Sequence, residues 1–330
     1  MAIFSGAVGL GALSVGLDIG SKRARVVGLA RGGSGELLLQ HASIVEFSDP
    51  ASAVAGIKSV LRGIAARAPG VRCNLGPASV IVQQVEFPDM ADEDLLAAAR
   101  IEAEQLIPDI QSMALDTQVI GRKTRGDDHA HVASIMIVAA PKQAVNDRMA
   151  LLREANVQID AVLPDGVALA NAVLALQPSE AGAVLAIDIG MEATGLVAVF
   201  PEKDAMVPIV RYIPTGTSVL VGAAGGEKPS STDERDRESK RERWLREVER
   251  SIEFVSGKLN APAQKILVVG DGARSSDTMS WLGQSVQIPV SAWNPLKDVR
   301  RGPGAPEDRF IQQWGSDCAV AVGLALGEGD

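Results

Sequence analysis

Two aspartates, Asp18 and Asp188, each stand in an Asp-Ile-Gly triplet within the same larger pattern. VGLDIGSKRARVVGLA (15–30) and LAIDIGMEATGLVAVF (185–200) both read as an apolar strand, the triplet, a short polar turn and a second apolar strand. Glycine lets the backbone turn sharply and lets an anion approach the main chain. The N–H groups that follow, at Ser21 to Arg23 and at Met191 to Ala193, can converge on anionic oxygens as a nest. Gly20, Lys22 and Gly190 belong to the same turns, and the hydroxyls of Ser21 and Thr194 can add hydrogen bonds. A carboxylate beside a phosphate repels it unless a divalent cation mediates. Asp18 and Asp188 are therefore expected to meet a Mg²⁺ through its waters. Two such hairpins facing one another across a cleft would grip a polyphosphate tail from both sides. In KILVVGDGARSS (265–276), Gly270 and Gly272 form a turn after an apolar strand. Such a turn can lie flat against a nucleotide base or ribose, or it can simply join a strand to a helix. One Asp-Ile-Gly alone is ordinarily just a turn. The repetition of both flanking strands gives the pair its meaning, and it points to two related halves.

Other phosphate and nucleophile chemistries are excluded. No G-x-x-x-x-G-K-[ST] occurs, so this is not a P-loop protein. Gly9 and Gly11 begin a G-x-G, but Ser14 stands where the third glycine belongs and no strand precedes it. No G-x-S-x-G or Ser-His-Asp arrangement stands out. The net charge of -9 over 330 residues opposes a phosphate backbone, so nucleic acid is not an expected partner. Cys73 and Cys318 lie far apart and outside any ligand-like cluster, as expected of idle thiols in a reducing compartment. His129 and His131 form an H-x-H pair without a third ligand, which fits a strand edge or loop better than a metal site. No stretch approaches the ~18 apolar residues of a membrane span. The N-terminal IFSGAVGLGAL is apolar but short and lacks a basic leader region. It reads as a loosely ordered leader, with contact to a partner or a membrane surface as the alternative.

The elements that must position these turns alternate between strand and helix. Val- and Ile-rich runs at 36–47, 78–87 and 131–140 read as strands. A helix fits 51–67, with Asp49 as its cap, Pro50 in its first turn and Val54, Ile57, Leu61 and Ile64 on one face. A second fits 92–107, stopped by Pro108. A third runs from about 143 to Asn156, a residue that tolerates the left-handed conformation at a helix end. The charge run 227–244 reads as a flexible loop, with Ser231 and Glu234 at capping-box spacing. It feeds an amphipathic helix with Trp244, Leu245, Val248, Ile252 and Val255 on its inner face. Hydrophobic residues make up 46% of the chain, enough for a substantial core in each half. The predicted class is α/β with a mixed sheet in each half and a boundary near 180.

Two Asp-x-Gly hairpins and a late Gly-x-Gly turn resemble the actin, hexokinase and heat-shock chaperone superfamily. Within it, the chain resembles the PilM family of type IV pilus assembly proteins over most of its length. FPDM (87–90) followed by IEAEQLIP (101–108) is the most specific segment of that likeness. IVAAPKQAV (137–145), LLREANVQIDAVLPDGVALANAV (151–173), REVERSIEF (246–254), KILVVGDGA (265–273), Asn294-Pro295 and AVGLAL (321–326) follow in the expected order. The resemblance implies an actin-like, ribonuclease H-like fold with a nucleotide cleft between duplicated halves. It places domain I at 1–180 with an inserted subdomain at about 76–160. Domain II then covers 181–330, with a shortened second subdomain at about 214–260. It also implies ATP and Mg²⁺ as cofactors and the cytoplasmic tail of an inner-membrane pilus protein, PilN, as partner. The location would be cytoplasmic and peripheral to the inner membrane, with homo-oligomerisation open.

The chain departs from the family on the adenosine side of the cleft. Thr215-Gly216 stands in place of a Gly-Gly pair, no Ala-Glu-x-x-Lys helix follows, and Asp271 replaces the second glycine of the base-side turn. Weakened base contacts and at most slow ATP hydrolysis are expected from this. Three other readings belong to the same superfamily. A small-molecule kinase needs a catalytic carboxylate. Asp165 is the one tempting residue, and it reads as an N-cap before VALANAVLAL. A cell-division adaptor of the FtsA type ends in a basic amphipathic helix, whereas this sequence ends GEGD. The cytoplasmic module of a type II secretion system continues into a membrane span.

Overall fold

The first hairpin forms from its own sequence: β1 (Leu13–Ile19) pairs antiparallel with β2 (Arg23–Arg31), and Asp18 faces Arg25 across the pair. The computed structural model describes residues 13–64, 70–76, 80–125, 130–177, 183–200, 208–220, 231–259 and 263–327. The N-terminal apolar segment, His129, the start of the charge run and the expected boundary near 180 lie outside them.

β3 (Leu37–Glu46) continues the antiparallel ladder and leads into α1 (Pro50–Arg62). Asp49 caps this helix, accepting from the Ser52 N–H while the Ser52 hydroxyl reaches back to the Asp49 N–H. α1 ends at Arg62 rather than 67, with Gly63 at its C-cap, and buries Ala53, Ile57 and Leu61. β4 (Val71–Leu75) lies parallel to β1. A smaller three-stranded antiparallel sheet follows, made of β5 (Ile81–Pro88), β6 (Met113–Arg125) and β7 (Ala130–Pro141) in the order β5-β7-β6. α2 (Asp92–Leu106) packs on it through Leu95, Ala99 and Ala103 and stops before Pro108. Ile101 and Leu106 stay exposed. α3 (Lys142–Glu154) ends where Asn156 takes a left-handed φ of 56°. β8 (Ile159–Pro164) completes the first large sheet beside β4, and α4 (Asp165–Leu176) leaves it.

The second large sheet repeats the opening moves. β9 (Ala183–Ile189) pairs antiparallel with β10 (Thr194–Val199), which pairs with β11 (Ile209–Ile213). After α5 (Thr217–Leu220) comes α6 (Ser231–Leu259), and β12 (Ala263–Val269) then runs parallel to β9. α6 begins well before the expected loop ends. Residues 231–244 are helical because their charges pair along the helix, as Asp236 with Lys240 at 2.7 Å and Glu242 with Arg246 at 3.7 Å. Trp244, Val248 and Val255 are buried, and Leu245 and Ile252 pack at the margin. The capping side chains of Ser231 and Glu234 lie outside the description.

α7 (Ser276–Ser285) and β13 (Val290–Ala292) finish this half, giving the order β11-β10-β9-β12-β13. The chain then returns to the first sheet. β14 (Arg300–Arg301) adds to the edge at β3, α8 (Asp308–Trp314) follows, and α9 (Ala319–Leu326) packs on β1. α4 and α9 lie between the two large sheets, whose facing strands share one apolar core with them. The helices touch at Gly323, where a Cβ would sit 1.7 Å from the Ala168 carbonyl oxygen. That close contact locks both β1 and β9 against a common layer, and so fixes where the two hairpin tips meet.

Candidate functional site: the cleft between the hairpins

The two tips open on a cleft of about 630 Å³ between the large sheets. Each tip is a tight turn. The Gly20 N–H donates to the Arg23 carbonyl at 2.9 Å, and the Gly190 N–H donates to the Ala193 carbonyl at 2.9 Å. Asp18, Gly20, Ser21, Lys22, Asp188 and Gly190 all line the cleft. Ser21 and Lys22 are exposed at its mouth, whereas Asp18 is only 7% exposed at its floor.

Thr194, Gly270 and Gly272 are not among the lining residues. The Thr194 hydroxyl donates to the Thr215 carbonyl at 2.7 Å and accepts from the Trp244 indole at 2.9 Å, so it anchors α6 to the hairpin instead of meeting a ligand. Gly270 and Gly272 face the end of β9. A Cβ on Gly270 would lie 2.2 Å from Asp188 Oδ1, and one on Gly272 would lie 2.5 Å from Ile189 Cβ. These glycines permit close packing behind the site. Gly270 also has φ 75°, which few side-chain-bearing residues adopt.

Several cleft residues escaped the sequence reading. Asn74, at the end of β4, donates from Nδ2 to Asp18 Oδ1 at 2.8 Å while its Oδ1 accepts from the Ile19 N–H at 2.7 Å. Arg148 on α3 reaches the Ile19 carbonyl at 3.2 Å. Arg25 points into the floor, 3.4 Å from Asp18 Oδ2 and 3.7 Å from Asp271 Oδ2. Asp271 also pairs with Arg23 and Arg274, both at 2.6 Å, and Arg274 reaches Asp317 at 3.0 Å. Trp314 supports this group from below: the Arg274 guanidinium lies 4.4 Å and the Arg23 guanidinium 5.2 Å from its ring centre. An arginine set between Ala24 and the apolar run from Val26 to Ala30 was the available signal for Arg25.

Asp165 differs from its expected role. Pro164 is the N-cap of α4, and Asp165 is its first residue, with no capping hydrogen bond from its side chain. Its carboxyl instead lines the cleft, and its buried Oδ1 has no hydrogen-bond partner.

Burial governs the electrostatics here. It raises the Asp165 carboxyl well above its ordinary range, helped by Asp18 and Asp188 and opposed by a hydrogen bond from Asn74. It raises Asp18 as well, against Arg25 and Arg148. Asp188 is pushed up to about 7 by burial and by Asp18, although part of its surface stays open to the cleft. Asp317 is pushed up to about 6, by burial first and against Arg274. For Arg25, burial works against the charge, but Asp18, Asp317, Asp188 and Asp271 outweigh it and hold the guanidinium charged.

At Asp18 the expected Mg²⁺ role meets a competing cation, whereas Asp188 keeps part of its surface open to the cleft. Among the described residues, no group of three or more His, Cys, Asp and Glu side chains is placed to hold a metal ion. The space beside Asp18 is taken by the Arg25 guanidinium, and a dication there would meet a fixed positive charge. The cleft's volume does suit a nucleotide, with Lys22 and Arg23 at its mouth.

Duplicated hairpin sheets, with two buried helices between them and a cleft at the tips, make this an actin-like protein of two halves. The family described as "Type IV pilus assembly protein PilM" matches residues 16–206, more than half of the chain. The chain belongs to that family.

Among solved structures, the chain is similar to one described as "PilM-PilN type IV pilus biogenesis complex". The TM-score is 0.76 at 24% identity, covering 95% of this chain and 97% of that one. It is also similar to a diol dehydratase-reactivating factor in nucleotide-free form. There the TM-score is 0.51 at 10% identity, covering 96% and 99%. These likenesses show the fold. No curated protein sequence matches the chain.

Proposed function

We propose that this chain is a scaffold of type IV pilus assembly that binds the cytoplasmic tail of a PilN-like inner-membrane protein. The observation that carries this reading is the family match over 16–206, which spans both hairpins and the inserted three-stranded sheet. The shared fold with a PilM chain solved beside PilN supports it. The protein would sit on the cytoplasmic face of the inner membrane, held there by that partner. Among the described residues, no helix is long and apolar enough to cross a membrane.

The cleft is read as the seat of a nucleotide such as ATP, with Ser21 and Lys22 toward its phosphates. A bound nucleotide would set the angle between the halves, and the product of the protein's work is an assembled machine. Asp165 is the feature that favours phosphoryl transfer instead, because its carboxyl faces the cleft. The departures on the adenosine side of the cleft, Thr215-Gly216 and Asp271, still lead us to expect slow turnover at most.

The test is fluorescence anisotropy with a labelled peptide copying the cytoplasmic tail of the PilN-like protein from the same source. Saturable binding to the full chain, absent for a scrambled peptide, supports the scaffold. Equal behaviour of the two peptides sinks the partner assignment.

A further inference from the structure

Arg25 is an unusual residue to find at the floor of this cleft. It is 9% exposed, lies between the buried Ala24 and Val26 on β2, and its Nε has no hydrogen-bond partner. Nothing in hairpin formation requires it, since the equivalent position opposite Asp188 is Gly195. Burying a guanidinium is costly unless carboxylates compensate. Four carboxyls act on it: Asp18 on its own hairpin, Asp188 on the opposite hairpin, Asp271 just after β12, and Asp317 just before α9. Two of these contacts are direct, at 3.4 Å to Asp18 and 3.7 Å to Asp271. The second crosses the cleft, and Arg23 makes the same crossing to Asp271 at 2.6 Å. Carboxylates drawn from both halves thus gather around one central cation. Here the cation belongs to the chain.

We propose that Arg25 is a built-in counter-ion that takes the place of a divalent metal at the cleft floor, and that with Arg23 it clasps the two halves together through Asp271. The contact across the cleft floor then requires no Mg²⁺. Asp271 is the far-half anchor of the clasp. The inference stands apart from the pilus partner and from nucleotide binding, and both readings can fail without touching it.

The experiment is a thermal melt of the full chain in EDTA and in millimolar magnesium chloride, without nucleotide, together with a calorimetric Mg²⁺ titration. Wild type is expected to melt at the same temperature in both buffers and to show no saturable Mg²⁺ binding. Arg25→Met removes the charge and leaves the carboxylates. It is expected to melt lower in EDTA and to recover in part with Mg²⁺, which screens the uncompensated carboxylates. Arg25→Lys keeps a charge at the floor and should remain indifferent to Mg²⁺. Saturable Mg²⁺ binding by wild type or by Arg25→Lys overturns the proposal. So does an Arg25→Met protein that melts like wild type and ignores the metal. Should Arg25→Met fold only in magnesium chloride, the proposal is upheld. Should it fold in neither buffer, the wild-type and Arg25→Lys titrations decide: indifference in both upholds the proposal, and binding in either overturns it.

Discussion

The two hairpins share a turn, a register and a neighbouring parallel strand, yet their aspartates live in opposite surroundings. Asp18 accepts from the Asn74 amide at the end of β4 and faces the Arg25 guanidinium. Asp188 faces Gly195 and rests against the bare backbone of Gly270 at the end of β12. The first hairpin presents Ser21, Lys22 and Arg23; the second presents Met191, Glu192 and Ala193. Duplication has kept the backbone plan, which is set by glycine turns and strand pairing, and has let the charge diverge. The first hairpin supplies cations to the cleft floor. The second supplies a carboxyl and the room for an arginine from the other side.

The comparison is tested hardest at Gly270. Alanine there would place a Cβ 2.2 Å from Asp188 Oδ1 and 3.0 Å from the Ile189 carbonyl, at a φ of 75°. We expect Gly270→Ala to cost about 3 kcal/mol, from backbone strain and from displacement of the Asp188 carboxyl. Chemical denaturation checks this. A loss below about 1 kcal/mol would mean that the second aspartate is not held by backbone proximity at all.

Next comes the residue that plays the corresponding part in the first half. Asn74 is 1% exposed and serves the Ile19 N–H and Asp18 at once. Asn74→Ala leaves a buried donor and a buried carboxylate oxygen without that partner and should cost about 2 kcal/mol. Asn74→Asp would set a second carboxylate beside Asp18. It should destabilise more at neutral pH than in mild acid, where one carboxyl can take up a proton. Equal melting of the two variants at both pH values would remove the amide from its assigned role.

How much of this was legible in the sequence follows from how local each feature is. The hairpins, the α1 cap at Asp49, the Asn156 helix end and the stripe through Trp244 and Val248 are set by residues within a few positions of one another, and the structure shows them. Arg25 and Asp271 are 246 positions apart in numbering, and their ion pair exists only because α4 and α9 bring the two sheets together. Asp165 had local cap spacing, and only the packing of β8 beside β4 shows that its carboxyl faces the cleft. Thr194 read as a cleft hydroxyl because nothing nearby in sequence announces Trp244 as its partner. The charges of 231–244 read as a loop by composition, although their spacing is helical.

A smaller effect separates the two aspartates by pH. The folded-state value of Asp188 is raised from 3.8 to about 7, with Asp18, Asp271 and Asp317 adding to burial and Arg25 opposing it. A carboxyl raised on folding binds its proton more tightly in the folded state. The stability it contributes is full below 3.8 and is lost as the pH climbs through about 7. Asparagine stays neutral, so Asp188→Asn should gain on the order of 1 kcal/mol above that value and nothing near 3.8. Melts across this window read the difference directly. A gain that is the same at both ends would show that Asp188 does not titrate there.

The smallest expected effect is the most direct comparison of the two sites. Gly195 stands where the first hairpin has Arg25, and a Cβ on it would meet nothing within 4 Å. Gly195→Ala should therefore change stability by no more than about 0.5 kcal/mol, with the lost backbone freedom of the unfolded chain offsetting any local crowding. A lysine at the same position is more informative. It would bring a second cation toward the floor from the opposite hairpin, within reach of Asp188. If Arg25 already supplies the countercharge for both aspartates, Gly195→Lys should leave stability unchanged or lower it. If Asp188 is a free carboxylate awaiting a cation, the lysine should raise stability, and the raise should disappear in Asp188→Asn. Equilibrium denaturation of the single and double variants reads which of the two holds, and with it whether one arginine serves both hairpins.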